Sequence, residues 1–291
     1  PIILNFKIMK KICYIILLSL VAISCEDVIN VDVPSETPRL VIDALIRINP
    51  NSPLVDVRIK ASLSSSFFGT IEPAKLAQIG IQNRDKETNN AILLIESSIE
   101  PGIYEAKVNR DFFTDGRLVL GLIHNDETYV SMTEFVPSPP IDSLSQGDSS
   151  LFNSDETEII VAFTDLPGSN DFYLLDFDFN EYLVTEDLFY KGQQFSFSYF
   201  YDDKLTPNMK LDIGILGVDF GFYNYMNQII AQSGETQGPF QTPAGTVRGN
   251  IIVTGIDFEN IDALEDIIPN ENYPLGYFAV CETHEKSIII E

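Results

Sequence analysis

The 291-residue sequence lacks tryptophan and contains only two histidines and three cysteines. This scarcity argues against a zinc site built from several histidines and against a disulfide framework. Basic residues are also few, since 18 Lys and Arg stand against 43 Asp and Glu and leave a formal net charge of −25. A nucleic-acid duplex is bound through a basic surface, so this charge excludes nucleic acid as a partner.

Hydrophobic residues make up 45% of the chain and charged residues 21%. This is the composition of a globular protein, and it is too apolar for a disordered acidic chain. At this length we expect one large domain or two smaller ones, with a core that needs no stabilising disulfide or metal.

The first 25 residues follow the pattern of an exported precursor. Two lysines precede an apolar run, 12–23, and Ser24 stands directly before Cys25. A charged segment, a short apolar segment and a small residue at the cleavage site define a signal peptide, and the run is too short to span a bilayer permanently. We expect residues 1–24 to be removed as a lipoprotein signal peptide, and we interpret residues 1–8, ahead of the first methionine, as a mis-called start.

The segment Ala22-Ile23-Ser24-Cys25 is similar to a bacterial lipobox. In such a precursor the cysteine is acylated with fatty acids such as palmitate and becomes the mature N-terminus, so Cys25 is the predicted lipidation site. Two acyl chains suffice for stable anchoring, whereas an acidic protein body is repelled by anionic lipid. Membrane attachment is therefore expected through this N-terminal lipid anchor.

Beyond residue 38, short runs rich in Val, Ile and Leu alternate with clusters of turn residues. Within 54–60, positions 55, 57 and 59 are apolar and positions 56, 58 and 60 are charged, as in a strand with one buried face. Repeated short runs of this kind favour an antiparallel sandwich.

Three prolines within 137–140 indicate an extended connector. The Ser- and Asp-rich stretch 142–157 that follows is predicted to be an exposed loop.

A helix is predicted near 219–233, because Phe222, Met226, Ile229 and Ile230 fall at i, i+4, i+7 and i+8. The predicted fold is mainly β. Its organisation is a lipid-anchored tether at 25–38, an immunoglobulin-like antiparallel β-sandwich at 39–136, a Pro-rich linker at 137–143, and a β-rich C-terminal domain at 144–291 that contains this helix.

Several short segments occur in an order that resembles one family. They are Cys25-Glu26-Asp27-Val28-Ile29, Pro38-Arg39-Leu40-Val41-Ile42-Asp43-Ala44, Pro137-Ser138-Pro139-Pro140-Ile141-Asp142, Pro239-Phe240, Arg248-Gly249-Asn250-Ile251 and Leu275-Gly276-Tyr277-Phe278-Ala279. Together they look like the Bacteroidota lipoproteins grouped as domain of unknown function 4249. The resemblance implies an outer-membrane or cell-surface lipoprotein, often encoded beside TonB-dependent transporters. It assigns no catalytic residue, and the stretch 255–274 is longer than the usual link between the last two segments.

No catalytic residue, metal site or cofactor is assigned from the sequence. The stretch 176–180, with Asp187 at the twelfth position, imitates a calcium loop, but Glu181 stands where an EF-hand needs glycine. We interpret this stretch as a half-buried strand. Cys281 is expected to be a buried small hydrophobe, and a Gly-x-Ser-x-Gly nucleophile motif is absent. Calcium binding by acidic loops and a glycosidase-like carboxylate pair both stay open, because spacing alone cannot show which acids converge.

Aromatic residues are concentrated in the C-terminal half, and tyrosine is favoured at protein interfaces. A second short helix over 260–268 is also compatible with the spacing of its apolar residues. The residues predicted to contact a partner are Tyr190, Tyr199, Tyr201, Tyr223, Tyr225, Ile261 and Leu264.

The sequence therefore predicts a lipid-anchored binding protein without enzymatic activity, acting as an accessory subunit of a TonB-dependent transporter or an outer-membrane assembly complex. The alternatives are a stand-alone surface adhesin or ligand-capture module, and a hydrolase that uses a carboxylate pair. A large Tyr-rich exposed surface favours the first function, an isolated deep pocket the second, and two facing buried acids the third. The ligand, the partner's identity and the membrane leaflet stay open.

We predict that Cys25→Ser abolishes fatty acylation and leaves an unprocessed precursor, because the serine offers no thiol to acylate. Metabolic labelling with a fatty-acid analogue measures this. Cys281→Ser is the matched control and keeps the label, since that cysteine is expected inside a strand. Labelling of Cys25→Ser at the wild-type level would contradict the anchor.

Overall fold

The computed structural model describes residues 37–66, 69–88, 90–151, 156–168, 170–201, 205–233, 245–254 and 273–291. These residues belong to one compact unit, Thr37–Glu291. They form eighteen strands and one α-helix, so the prediction of a mainly β fold is confirmed. The signal peptide, Cys25 and the helix predicted over 260–268 lie outside the described residues.

The elements of the described chain are short strands joined by turns. In chain order they are β1 Leu40–Ile48, β2 Leu54–Leu63, β3 Glu72–Pro73, β4 Gln78–Asn83, β5 Ala91–Leu93, β6 Ile95–Glu96, β7 Ile103–Asn109, β8 Leu118–His124, β9 Glu127–Thr133, β10 Phe135–Val136, β11 Ile141–Gln146, β12 Thr157–Thr164, β13 Phe172–Asp176, β14 Tyr182–Glu186, β15 Gln194–Tyr201, β16 Lys210–Val218, α1 Phe220–Ser233, β17 Ile252–Thr254 and β18 Leu275–Ile289. Two single 3-10 turns occur at Arg110–Phe112 and Asp187–Phe189.

The first half of the chain folds as a β-sandwich. One layer contains β1, β2 and β7, and the other is the five-stranded sheet β17-β9-β8-β4-β5. The apolar positions of β1 and β2 alternate inward, and residues such as Ile42 and Ile59 are completely buried against Leu120 of the opposite sheet. Each such side chain stabilises the fold by roughly 1.5–3 kcal/mol through burial. The alternation predicted within 54–60 is confirmed by the burial pattern of β2.

The second half forms another sandwich. Its layers are the three-stranded sheet β11-β12-β15 and the strands β14-β13-β16, which continue into the sheet of the first sandwich. Its core is aromatic, since Phe163 packs edge to face on Tyr173 and Phe177 packs against the ring of Tyr199 at 3.8 Å between ring centres. Aromatic pairs of this kind add about 0.5–1.5 kcal/mol beyond area burial.

The long strand β18 belongs to both sandwiches. Its first half pairs in parallel with β1, from Val41↔Leu275 to Ile48↔Glu282. Its second half pairs antiparallel with β16, from Leu216↔Thr283 to Lys210↔Ile289. One ten-stranded sheet therefore runs through the whole unit. The predicted sandwich at 39–136 accordingly lacks two strands that the first sandwich contains, β17 and the first half of β18.

A side chain completes the hydrogen bonding of β18 near its start. The amide of Asn250 donates to Phe278 O at 2.8 Å and accepts from Phe278 N at 2.8 Å, as a neighbouring strand would. The chain passes close enough for this because Gly249 lies against the carbonyl of Gly276, where a Cβ would clash. Gly276 itself has φ +97°, a backbone conformation that favours glycine.

Several sequence-based expectations need correction. The predicted linker 137–143 is partly buried and is not a free connector: Ser138 is 4% exposed, its N–H donates to Glu282, and the chain enters β11 at Ile141, although four of the seven residues are exposed. The predicted exposed loop 142–157 contains most of β11. Of the stretch 176–180, which was expected to be a half-buried strand, only Asp176 lies in β13, and the rest is a turn between β13 and β14, because Asp178, Phe179 and Asn180 all have positive φ. In the part of the chain that the structure describes, no helix is both long and apolar enough to cross a bilayer.

We predict that Asn250→Ala destabilises the protein by about 2–4 kcal/mol, because it leaves a buried N–H and C=O of Phe278 without partners. Equilibrium denaturation with urea measures this change. The exposed Asn227 on α1 offers a matched control, Asn227→Ala, which we expect to change stability by less than about 0.5 kcal/mol. Equal stabilities of the two variants would show that Asn250 does not complete the sheet.

Candidate functional site

A wide groove with a cavity volume of about 1550 Å³ lies over the outer face of the ten-stranded sheet. Its floor is formed by β1, β2 and the start of β18. Its walls are α1, the turn between β13 and β14, the end of β15 and the loop between β6 and β7. The residues that the argument below uses are Leu45, Arg47, Arg58, Lys60, Ile99, Phe179, Tyr182, Tyr199, Tyr225, Met226, Ile229, Ile230 and Tyr277.

The helix wall is fixed at its N-terminus by Asp219. The Asp219 carboxylate accepts from the N–H of Phe222 at 2.6 Å, which is the hydrogen bond of an N-cap residue. The hydroxyl of Tyr277 on β18 donates to the same oxygen at 3.3 Å. Phe222, 3% exposed, packs on Leu174, Leu216 and Ala279 of the sheet. The helix is therefore docked through its first turns.

The apolar stripe of α1 extends beyond this docked part. Phe222 is buried, whereas Met226, Ile229 and Ile230 are only half-buried and line the groove. The helix prediction is thus confirmed, but its apolar face is shared between the sheet and the groove. An amphipathic helix normally buries this face, so the groove leaves apolar surface available for a further contact.

Tyrosine side chains dominate the aromatic part of the groove. Tyr225 packs on Tyr277 at 5.1 Å between ring centres, and Tyr199 packs on Phe177 and donates to Glu181. Burial raises the pKa of Tyr182, of Tyr225 and of Tyr277 above the usual value for tyrosine. These hydroxyls therefore stay protonated at neutral pH and can donate hydrogen bonds.

Charged side chains of both signs lie in the groove. Arg47 of β1 pairs with Asp176 of β13 at 2.6 Å, and this ion pair joins strands of the two sandwiches. At the opposite side, Arg58 pairs with Glu100 at 2.7 Å and with Glu105 at 3.0 Å. These exposed pairs are worth less than about 1 kcal/mol each, so a partner's charges can replace them at little cost.

The residues predicted to contact a partner are found in different surroundings. Tyr199 and Tyr225 line the groove, while Tyr223 packs on Phe172 beside it. Tyr190 and Tyr201 are 6% and 2% exposed, which places them in the core of the second sandwich rather than on the surface offered to a partner. Ile261 and Leu264 lie outside the described residues.

Cys281 and the two histidines of the sequence are held by packing and by hydrogen bonds. Cys281 is buried under α1, and burial raises the pKa of its thiol. His284 contacts the carbonyl oxygen of Ser138 at 3.1 Å, and His124 is bonded to the carbonyl of Lys75 at 3.0 Å. A smaller, polar pocket of about 320 Å³ lies near His284 and the exposed pair Lys210–Asp212.

Sequence reasoning missed the floor of the groove. Arg47, Arg58 and Lys60 alternate with buried residues along β1 and β2, so the pattern showed that they point outward. The sequence gives no sign that α1, which follows much later in the chain, packs over the same face. Only the pairing of β18 between β1 and β16 brings these elements together.

The molecule is a protein of two fused β-sandwiches that share one sheet, and α1 covers only part of the outer face of that sheet. The family model described as Domain of unknown function (DUF4249) matches residues 26–258, so the chain belongs to this family, as its resemblance indicated. No curated protein matches the chain. Among solved structures, the crystal structure of a Salmonella alpha-2-macroglobulin mutant is similar over 64% of this chain, at 13% identity and a TM-score of 0.22, and the match covers 14% of that chain.

We predict that Asp219→Ala loosens the helix wall of the groove and lowers stability by about 1 kcal/mol, because α1 loses its N-cap. Amide hydrogen exchange should accelerate most at Phe222, whose N–H bonds to the Asp219 side chain. Asp43→Ala removes an exposed groove carboxylate from β1 and serves as the matched control. Equal exchange at Phe222 in both variants would show that the cap does not hold the helix.

Proposed function

We propose that this protein is a lipid-anchored binding protein of the outer membrane or cell surface, which serves as an accessory subunit of a TonB-dependent transporter or an outer-membrane assembly complex. The groove is its binding site, and a segment of the partner protein is its occupant. The observation that carries the proposal is the unsatisfied apolar stripe of α1, which faces tyrosines and arginine across an open groove.

The size of the groove favours a protein segment over a small molecule. Pockets for small molecules usually measure about 300–1,000 Å³ and enclose most of the ligand. The groove is larger, at about 1550 Å³, and is bounded by elements from both sandwiches. This supports the accessory-subunit function over the alternative of a module that captures a small ligand.

The composition of the groove also fits a protein partner. Tyr, Phe, Met and Arg are enriched in protein interfaces, and here Tyr182, Tyr199, Phe179, Met226 and Arg58 line one surface. Interfaces concentrate their binding energy in a few aromatic or Arg side chains at the centre. The groove offers such anchors on a rigid sheet.

The charged residues that line the groove favour the approach of a partner at this surface. The whole chain carries a formal charge of −25, which repels acidic partners and acidic lipid. Three basic residues line the groove, Arg47, Arg58 and Lys60, alongside three acidic ones, Asp43, Glu100 and Glu181. The groove is therefore locally balanced, and a neutral or acidic segment can bind there without the repulsion met elsewhere.

The proposed location follows from the N-terminal segment and from the family resemblance. Acylation at Cys25 would tether the protein to the membrane. An integral outer-membrane protein shares that membrane and is therefore the partner that we propose. We propose binding rather than catalysis, because the groove carries an apolar stripe and tyrosines whose pKa values are raised, which suit contact better than proton transfer at neutral pH.

We predict that Ile99→Asp reduces recovery of the membrane partner at least tenfold without unfolding the protein. Ile99 is 86% exposed at the groove, so its replacement places a charge in the interface but removes little from the core. The measurement is co-purification from native membranes after cross-linking, with mass spectrometry of the captured proteins.

Ile95→Asp is the matched control, because Ile95 is 77% exposed on the neighbouring strand β6 and does not line the groove. We expect it to retain the partner. Circular dichroism on both variants verifies that each is folded. Undiminished capture by a folded Ile99→Asp variant would overturn the groove as the binding site, and capture of no integral membrane protein by the wild type would overturn the accessory role.

A further inference from the structure

Three aspartates converge at one end of the second sandwich, away from the groove. Asp165 follows β12, Asp171 precedes β13, and Asp187 begins the 3-10 turn after β14. Each offers a carboxylate oxygen, and these oxygens all lie within 4.8 Å of one another. Asp165 and Asp187 are both 2% exposed, so the cluster is sheltered from solvent screening.

The surrounding backbone holds this cluster in place. Asp165 accepts from the hydroxyl of Tyr173 at 2.5 Å and from the N–H of Gly192 at 2.6 Å. The N–H of Asp187 donates to the carbonyl of Asp171 at 3.1 Å, which joins the two ends of the β13–β14 hairpin. The Asp165 carboxylate is thus fixed by two hydrogen bonds, and the main chain at Asp171 and Asp187 is held together by a third.

The side chain of Asp187 provides a second, independent indication that a ligand binds at this cluster. Its Oδ2 is buried and has no hydrogen-bond partner among the residues that the structure describes. A buried carboxylate without a partner costs several kcal/mol, and two further carboxylates close by increase the cost through repulsion.

We propose that Asp165, Asp171 and Asp187 bind a divalent cation, and that this cation is Ca²⁺. The cluster supplies oxygen ligands alone, which suits a hard cation and not zinc or copper. The three carboxylates come from two connections, Asp165 and Asp171 between β12 and β13 and Asp187 between β14 and β15. Ca²⁺ suits such a set, because it accepts irregular geometry and completes its shell with main-chain carbonyls and water.

The same acids fit catalysis less well. A catalytic carboxylate pair has to reach a substrate in a cleft, and these residues line neither the groove nor the small polar pocket. Two of the three side chains are buried, and the third is half-buried. The cluster therefore has the position of a structural cation site that ties together two ends of a hairpin.

The test is a titration of the full chain with Tb³⁺, a luminescent substitute for Ca²⁺, after removal of metals with EDTA. The chain has no tryptophan, so excitation of tyrosine is selective, and Tyr173 and Tyr190 both contact the cluster. We expect one sensitised Tb³⁺ per chain, displaced by Ca²⁺ and less effectively by Mg²⁺. In parallel, Ca²⁺ at a hundredfold excess over its Kd should raise Tm by roughly 5 °C.

Asp187→Asn is the decisive variant, because the amide keeps the shape and removes the charge. We expect its Kd for Tb³⁺ to rise at least tenfold. In EDTA its Tm should equal or exceed that of the wild type, since repulsion is relieved. Glu186→Gln neutralises the adjacent residue outside the cluster and is the matched control, expected to bind like the wild type.

Two results would overturn the site. One is a wild-type chain that binds neither Tb³⁺ nor Ca²⁺ stoichiometrically, a result that does not depend on the folding of any variant. The other is an Asp187→Asn variant that binds as the wild type does, or that loses the same stability in EDTA and in Ca²⁺, because an internal structural role alone gives that pattern. Displacement by Mg²⁺ as effective as by Ca²⁺ would refute the assignment to calcium.

Discussion

The shared strand β18 is the constraint on which the rest of the molecule depends. Its first half pairs with β1 of the first sandwich, and its second half pairs with β16 of the second. The register of this one strand therefore fixes the alignment of strands in both sandwiches. Phe278 and Val280 point into the core of the first sandwich, while Ala279 and Cys281 point to the opposite face under α1. A slip by one residue would exchange these faces and would break the pairing with β1 and β16 together. The side chain of Asn250 and the short strand β10 complete the hydrogen bonding where neither sandwich supplies a long neighbour.

The groove follows directly from this continuity. A single sheet through both sandwiches presents one extended outer face, and one helix of fourteen residues is too short to cover it. α1 covers the part near β13, β16 and β18, whereas the outer positions of β1 and β2 remain open. The Arg47–Asp176 ion pair crosses between the two sandwiches on this face. The surface that we propose as the partner-binding site is therefore also the surface where the two halves of the chain meet.

Local periodicity in the sequence was enough to predict β2 and α1, because each is an amphipathic element whose pattern depends on its own residues. It cannot show that β18 is one strand, because a polar run, 282–285, interrupts the apolar pattern where the strand passes from one sandwich to the other. The turn at Asp178, Phe179 and Asn180 was also missed, because its aromatic residue continues the alternation while the backbone reverses.

The contacts between the family segments become visible only in three dimensions. Gly249 and Asn250 contact Gly276 and Phe278, and Arg39 and Arg248 both lie over the ring of Tyr273. Of the candidate sites, Tyr199 and Tyr225 were within reach of sequence reasoning, whereas the convergence of Asp165, Asp171 and Asp187 depends on how the β13–β14 hairpin closes.

That hairpin connects the two candidate sites. Its turn, with Phe179, and the first residue of β14, Tyr182, line the groove, while its open end carries Asp171 and Asp187. β14 is the edge strand of the sheet and pairs only with β13 among the described strands, so it depends on its ends for order. Asp176 is tied to Arg47 near the turn. At the open end, three neighbouring carboxylates repel one another unless a counter-charge lies between them. A cation bound there would hold the end of the hairpin opposite the groove, and the position of Tyr182 and Phe179 would then rest on two electrostatic contacts, one at each end of the same pair of strands.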